Sequence, residues 1–462
     1  MNKALIKRLN NAHVWSVSAN GLTAVINMLT ISVLYRSLPM TDIGVWIFFQ
    51  TFVLFTDTFR WGLLNTAFVK FYAGVNAQRA QEVIGSIWYL ALAITGIFCL
   101  IGVPGFFLSE YIADVGLNYS LKFLAISLIL TAPTVVAMCI AQGESRFDRI
   151  LYIRLYTNGV FLGLVFLLML IGQVRLDHII YANLAANLVG SLIAWGAGWT
   201  RIECLPRRST SCIQELFHFG KYNVATAITS SLFRITDTAL INFVLGPASL
   251  AVYALAQRLM EVIEIPLRSF TATAMPLLSA AFNRGEKDRF IYLLQKYIGL
   301  ISLLIIPGAL VTLSTAEFAV GLIGGNAYRG TEAANVFRLL MLFALLCPAD
   351  RFMAVALDAI HKPDLNFKKV LWMIAVNLVA SWIGLTVLGT IYGIALANII
   401  PTFLAVLISY YALQRHYQVF NLGDSYKIGF LELKSLLRLN LFPTKPTAPE
   451  RSELQASNRL AS

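Results

Sequence analysis

Residues 232–241 read "LFRITDTALI", and within this apolar run Arg234 and Asp237 stand three positions apart. A guanidinium stays charged when desolvated and grips phosphate oxygens through two parallel hydrogen bonds. A carboxylate beside it can neutralise it or, once separated from it, take a proton. The same pairing recurs in other apolar runs: Asp57 and Arg60 in "FTDTFRWGLL", four charges (Arg258, Glu261, Glu264, Arg268) in "AQRLMEVIEIPLRSF", and Asp350 with Arg351 after Pro348. The set is balanced, with five cations (Arg60, Arg234, Arg258, Arg268, Arg351) and five anions (Asp57, Asp237, Glu261, Glu264, Asp350).

The elements that carry these residues are membrane helices. The chain has 462 residues, of which 58% are hydrophobic and only 13% charged. A soluble domain carries about 25% charged residues and could not hide this much apolar surface. The mean hydropathy is +0.70. Twelve apolar stretches of the length that spans hydrocarbon as helix lie near 14–37, 43–66, 83–108, 120–141, 151–172, 178–199, 222–245, 250–275, 290–314, 335–358, 367–389 and 391–413. They lack the alternation of a membrane barrel. The first is too long and too polar for a cleaved signal peptide and reads as a retained helix. Each deep charge therefore costs about 2.5–3.5 kcal/mol at a helix centre, a cost that marks functional or tightly paired positions.

One set of loops and helix ends carries eighteen Lys and Arg, and the other carries four: Arg36, Lys122, Arg175 and Arg329. The positive-inside bias places both termini in the cytoplasm, as an even number of spans requires. The net charge of +12 is thus a topology signal, and its scatter over many small loops does not suit nucleic acid. Cys204, Cys212 and His218 fit no zinc spacing, so neither metal nor cofactor is expected. The absence of a Walker loop leaves an ion or proton gradient, or the substrate's own gradient, as the source of energy.

The chain repeats itself. "LYRSLPMTDIGVWIFFQ" (34–50) aligns with "INFVLGPASLAVYALAQ" (241–257), and residues 128–142 align with 342–357 through Pro133 and Pro348. Six helices per repeat give two lobes entering the membrane in the same sense, residues 1–205 and 206–415, followed by a cytoplasmic tail at 416–462. Two such lobes joined by the polar linker at 201–221 suit alternating access to a central site.

On helix 7, Asn223, Thr226, Ser230, Asp237 and Thr238 share the side of Arg234, and on helix 8 the arc of roughly 140° holds Tyr253, Gln257, Arg258, Glu261, Glu264 and Arg268. A wet face inside a bundle lines a cavity or meets a partner helix. The plain alternative is that Arg234–Asp237, Arg258–Glu261, Glu264–Arg268 and Asp57–Arg60 neutralise one another within a lobe.

Residues 34–50, and more specifically 219–279 with Asp237, the Leu-Gly turn at 245–246, Val252-Tyr253, the Ala-x-Arg at 256–258, Pro266 and Pro276, resemble the polysaccharide exporters and Wzx-type O-antigen flippases. These belong to the MOP superfamily, which also holds MATE drug antiporters and lipid II flippases. The resemblance implies an all-α, V-shaped transporter, not an enzyme, in the bacterial cytoplasmic membrane. Its substrate would be a polyprenyl-diphosphate-linked oligosaccharide, with membrane lipid and other polysaccharide-assembly membrane proteins as partners. In that frame Arg60, Arg234, Arg258, Arg268 and Arg351 are candidates to bind the diphosphate, and Asp57, Asp237, Glu261 and Glu264 to couple transport to a gradient. Trp46, Trp61 and Tyr253 are candidate sugar-stacking rings. The polar tail, standing where lipid II flippases usually carry two further helices, favours the O-unit or capsule branch. A MATE-like exporter of organic cations would need an excess of acids in its cleft. A polymerase or ligase would need a larger external loop than those near 109–119 and 315–334, which contain no His. In the tail, "YKIGFLELKSLLRLNLF" reads as an amphipathic helix on the anionic inner leaflet, carried by Lys427, Lys434 and Arg438, with disorder expected beyond Pro443.

Overall fold

The computed structural model describes residues 21–441 except 73, 74 and 145, and within that range it is helical, with no strand among the described residues. The helices are α1 (21–37), α2 (Met40–Tyr72), α3 (Ala77–Leu108), α4 (Val115–Gly143), α5 (Phe147–Ile171), α6 (Leu176–Gly196), α7 (Thr210–Leu240), α8 (Pro247–Asn283), α9 (Lys287–Gly324), α10 (Ala333–Ala344), α11 (Cys347–Ala359), α12 (Pro363–Leu388), α13 (Ile391–Ala397), α14 (Ile399–His416) and α15 (Asp424–Leu441). The start of the first expected span, Lys3, Lys7 and Arg8, and the tail beyond 441 lie outside the described residues.

Among the described residues, seven helices are long and apolar enough to cross a membrane: α3, α4, α5, α6, α9, α12 and the run Ile391–His416. The pair α10 and α11, bent by 42° at a short break, makes an eighth. The helices α2, α7 and α8 span 33, 31 and 37 residues and carry the deep charges other than Asp350 and Arg351, which lie on α11. With α1 these elements are consistent with twelve crossings. Large apolar side chains point outward along them, with Leu100 77% and Val387 73% exposed, as a lipid-facing surface demands. This is a multi-pass all-α membrane protein.

The chain forms two compact units. One comprises residues 1–261, 313–340 and 367–401, and the other 262–312, 341–366 and 402–462. The division into lobes at 1–205 and 206–415 is a separate proposal from repeat matching.

In the first unit, Leu64 and Phe68 of α2 pack with Ile84 and Trp88 of α3, Val136 and Ile140 of α4, and Leu216 of α7. The Trp88 indole donates to the Thr200 carbonyl at 2.7 Å, so a buried N–H has its partner. Small residues let α2 approach α7: a Cβ on Gly62 would lie 3.1 Å from the Val224 backbone. Gly384 of α12 and Gly393 of α13 touch backbone to backbone, and a Cβ on either would overlap the other helix. Close approach through small residues is the usual basis of helix association in lipid. Asn398 stands at the break between α13 and α14, and Pro401 two residues into α14 lacks the N–H that a continuous helix would return to Ala397.

In the second unit, Tyr297 of α9 stacks on Phe352 of α11 at 5.5 Å between ring centroids. Here α15 docks on α9, because Gly299 and Gly429 meet with no room for a Cβ on either. Glu432 pairs with Lys296 at 2.7 Å and accepts from the Tyr292 hydroxyl. Hydrogen bonds from Lys296 and then Tyr292 hold its carboxyl below the usual glutamate range. The tail helix expected on the inner leaflet is therefore anchored to the protein. Tyr426, Lys427, Phe430 and Leu431 are exposed on its other side, and the side chain of Arg438 lies outside the described residues.

Candidate functional site

Arg60 on α2 is fully buried. Its Nε donates to Asp57 Oδ1 at 2.8 Å, Nη1 to the Leu128 carbonyl at 2.7 Å and Nη2 to Thr131 Oγ1 at 2.6 Å. A second Nη2 bond reaches the same carboxylate oxygen. This guanidinium is consumed by partners on α2 and α4. This arrangement matches the plain alternative, in which Asp57 and Arg60 neutralise one another within a lobe.

Arg234 and Asp237 part company. Arg234 is exposed, and with Arg258 it lines a cavity of about 150 Å³ whose other walls include Tyr35, Trp46, Gln50 and Thr51. α1, α2, α7 and α8 meet there. Arg258 donates from Nη1 to Glu261 Oε1 at 2.9 Å, a solvated pair with side chains 43% and 50% exposed. Trp46 stacks against Phe161 at 5.7 Å, which fixes the ring at the cavity wall. Trp61 instead packs against the core formed by α2, α3, α4 and α7.

Asp237, 2% exposed, turns into a cage of neutral donors. Oδ1 accepts from Asn377 Nδ2 at 3.0 Å and Ser381 Oγ at 3.3 Å, both on α12. Oδ2 accepts from Asn398 Nδ2 at 3.0 Å and the Tyr253 hydroxyl at 3.5 Å, and Asn398 also donates to Tyr253 at 2.9 Å. The Arg234–Asp237 pair is thus not formed. One residue in three positions turns about 60° away from its neighbour on a helix, enough here for one to reach the cavity and the other the seam with α12. Tyr253, a candidate sugar-stacking ring, is fully enclosed in this cage.

Sequence reasoning found Asp237 and missed Asn377, Ser381 and Asn398. The available signal was an amide or hydroxyl inside an otherwise apolar span, which in lipid is expensive unless it meets a polar partner.

The remaining candidates belong to the second unit. Glu264, Asp350 and Arg351 come within electrostatic range of Cys347, with Arg351 exposed. The side chains of Arg268, Thr226 and Ser230 lie outside the described residues.

The all-α bundle holds a cavity lined by two arginines and, apart from it, a buried carboxylate, and several solved structures share its fold. An inward-facing multidrug resistance MATE family transporter matches 89% of this chain and 99% of its own at 13% identity, with a TM-score of 0.70. The lipid II flippase MurJ, in an inward closed conformation, matches 94% of each chain at 14% identity and a TM-score of 0.71. A MOP superfamily transporter from Pyrococcus furiosus, described by a reverse polarity of its binding pocket, matches 91% of this chain and 96% of its own at 14% identity and 0.60. At such identity the likeness establishes the fold. No curated protein sequence matches the chain. The chain belongs to the polysaccharide biosynthesis protein family, whose model matches residues 33–333.

Proposed function

We propose that the protein is a flippase that moves a lipid-diphosphate-linked oligosaccharide from the cytoplasmic to the outer leaflet of the bacterial cytoplasmic membrane. Family membership supports the oligosaccharide, and the MOP fold supports alternating access. The single observation that carries the substrate assignment is the convergence of Arg234 and Arg258 on one cavity beside Trp46 and Gln50. Two guanidiniums suit the oxygens of a diphosphate, and a ring with an amide suits a sugar. The cavity's charge disfavours an organic cation as cargo, since among the described residues its lining holds Arg234 and Arg258 and the nearby Glu261 carboxylate is taken up by Arg258.

Coupling falls to Asp237. It holds no arginine that an arriving diphosphate could draw away, so the exchange of partners suggested by its sequence neighbour does not operate. A proton would act on the cage directly. Protonation turns an acceptor oxygen into a donor and breaks its match with the donors around it, loosening the seam between α7, α12 and the break at Asn398. Asp57 serves structure with Arg60, and Glu261 steadies Arg258.

The test is reconstitution in liposomes with a fluorescent polyprenyl-diphosphate oligosaccharide. Arg234→Gln with Arg258→Gln should reduce translocation by about 100-fold or more, two charge-assisted contacts of about 1.5–3 kcal/mol each being lost. Translocation within twofold of the unaltered protein would remove the cavity from the mechanism.

A further inference from the structure

Only four cations stand in the loops and helix ends assigned to the outer side, and two of them meet. Arg36, at the end of α1, and Arg329, just beyond α9, line one pocket of about 520 Å³ floored by Gly321, Gly324 and Gly325. Among the described residues no acidic one lines it. The glycines shape it: a Cβ on Gly321 would lie 2.5 Å from Arg329 Nε, and one on Gly325 would lie 2.9 Å from Arg36 Cγ. Both arginine stems lie flat on backbone that no other residue type would leave open. The turn that carries Arg329 is pinned by Tyr328, fully buried, whose ring meets Tyr35 of α1 edge to face at 4.9 Å.

A structural task accounts for part of this. Arg36 Nη2 donates to the Leu322 carbonyl at 2.6 Å, capping the negative end of α9. It does not account for Arg329, whose side chain has no hydrogen-bond or ion-pair partner among the described residues. Two like charges brought to one pocket with no counter-charge repel unless an anion joins them.

We infer that the Arg36–Arg329 pocket binds a phosphate group presented by a lipid at the outer surface of the membrane. Forked guanidinium donors match phosphate oxygens, and the ends of α1 and α9 set the pocket at headgroup depth. The group is either the headgroup of a resident anionic phospholipid or the diphosphate of a lipid-linked substrate, two sources with one chemistry. The site shares no residue with the Arg234–Arg258 cavity, so it stands whether or not that cavity carries substrate.

The experiment uses the full chain in nanodiscs of mixed phosphatidylglycerol and phosphatidylcholine, with retained lipid read by native mass spectrometry and binding of inorganic pyrophosphate by calorimetry. Arg329→Gln removes a side chain without a partner and should leave folding intact. Gly321→Ala keeps every charge and displaces Arg329. Both are expected to weaken the bound anion by about tenfold or more, whereas Arg234→Gln leaves it unchanged. Loss of one retained phosphatidylglycerol alone identifies a resident phospholipid. Loss of pyrophosphate binding alone identifies the diphosphate. Unchanged retention and unchanged pyrophosphate binding in both variants, and in Arg36→Gln with Arg329→Gln, overturn the inference.

Discussion

Two arginines that each stand three positions from a carboxylate, Arg60 and Arg258, have unlike fates. Arg60 spends its donors on Asp57, Leu128 and Thr131 inside the first unit, whereas Arg258 shares Glu261 with solvent. Arg60→Met is therefore expected to cost about 3–5 kcal/mol, because Asp57 would be left without its counter-charge. Arg258→Gln is expected to cost about 0–1 kcal/mol, the range of exposed pairs. Thermal unfolding of the purified protein in detergent compares them, and equal losses would contradict the assignment of Arg60 to structure. Asp237→Asn preserves the size of the buried group but removes its charge. It should abolish the response of transport to an imposed proton gradient while leaving substrate affinity within about threefold. A variant that still follows the gradient would free Asp237 of the coupling role. Spacing made the charged pairs legible in the sequence, but it treats every i,i+3 pair alike. Which pair closes depends on the groups that arrive from α4 and α12, and no local rule supplies them.

At the scale of elements, the seams between helices decide what the polar residues can do. Gly384 and Gly393 bring α12 against α13, and that contact carries Asn377 and Ser381 on one side and Asn398 on the other toward Asp237. The spans themselves were evident, since bilayer thickness sets their length. The break at Asn398 was not, because residues 391–413 read as one apolar run with Pro401 as the only sign of a kink. The amphipathic pattern of α15 was plain too, but its docking rests on two glycines 130 positions apart, Gly299 and Gly429. Glu432 makes that docking sensitive to acid. Its carboxyl is held below the usual glutamate value of about 4.3, so the stabilisation is complete above that value and is lost as pH falls through the lower, docked one. Protection of the α15 amides from hydrogen exchange should hold from neutral pH down to the usual glutamate value and fall as the pH drops below it. Protection insensitive to acid would mean that Glu432 does not hold the helix.

For the whole molecule, charge bias and helix count agree on one orientation. A membrane-impermeant maleimide applied to intact cells should label Ala327→Cys and spare His416→Cys until the cells are permeabilised. The reverse pattern would invert the topology and move the Arg36–Arg329 pocket to the cytoplasmic side. The fold class was legible in composition alone, since 58% hydrophobic residues in spans of bilayer length leave few other solutions. The compact units were not. Repeat matching proposes a division at 205–206, whereas contacts divide the chain by packing, and α8, α9 and α10 each contribute to both units.

The glycine contact between α9 and α15 also bears on how the protein can be handled. Because the tail helix covers Gly299, a truncation that removes residues 424–441 would uncover a narrow notch on α9 at which a second polypeptide could lodge. A fusion appended after residue 462 leaves that notch filled. Shortened forms should then show a gain of dimers or of adventitious helix capture that unshortened forms do not.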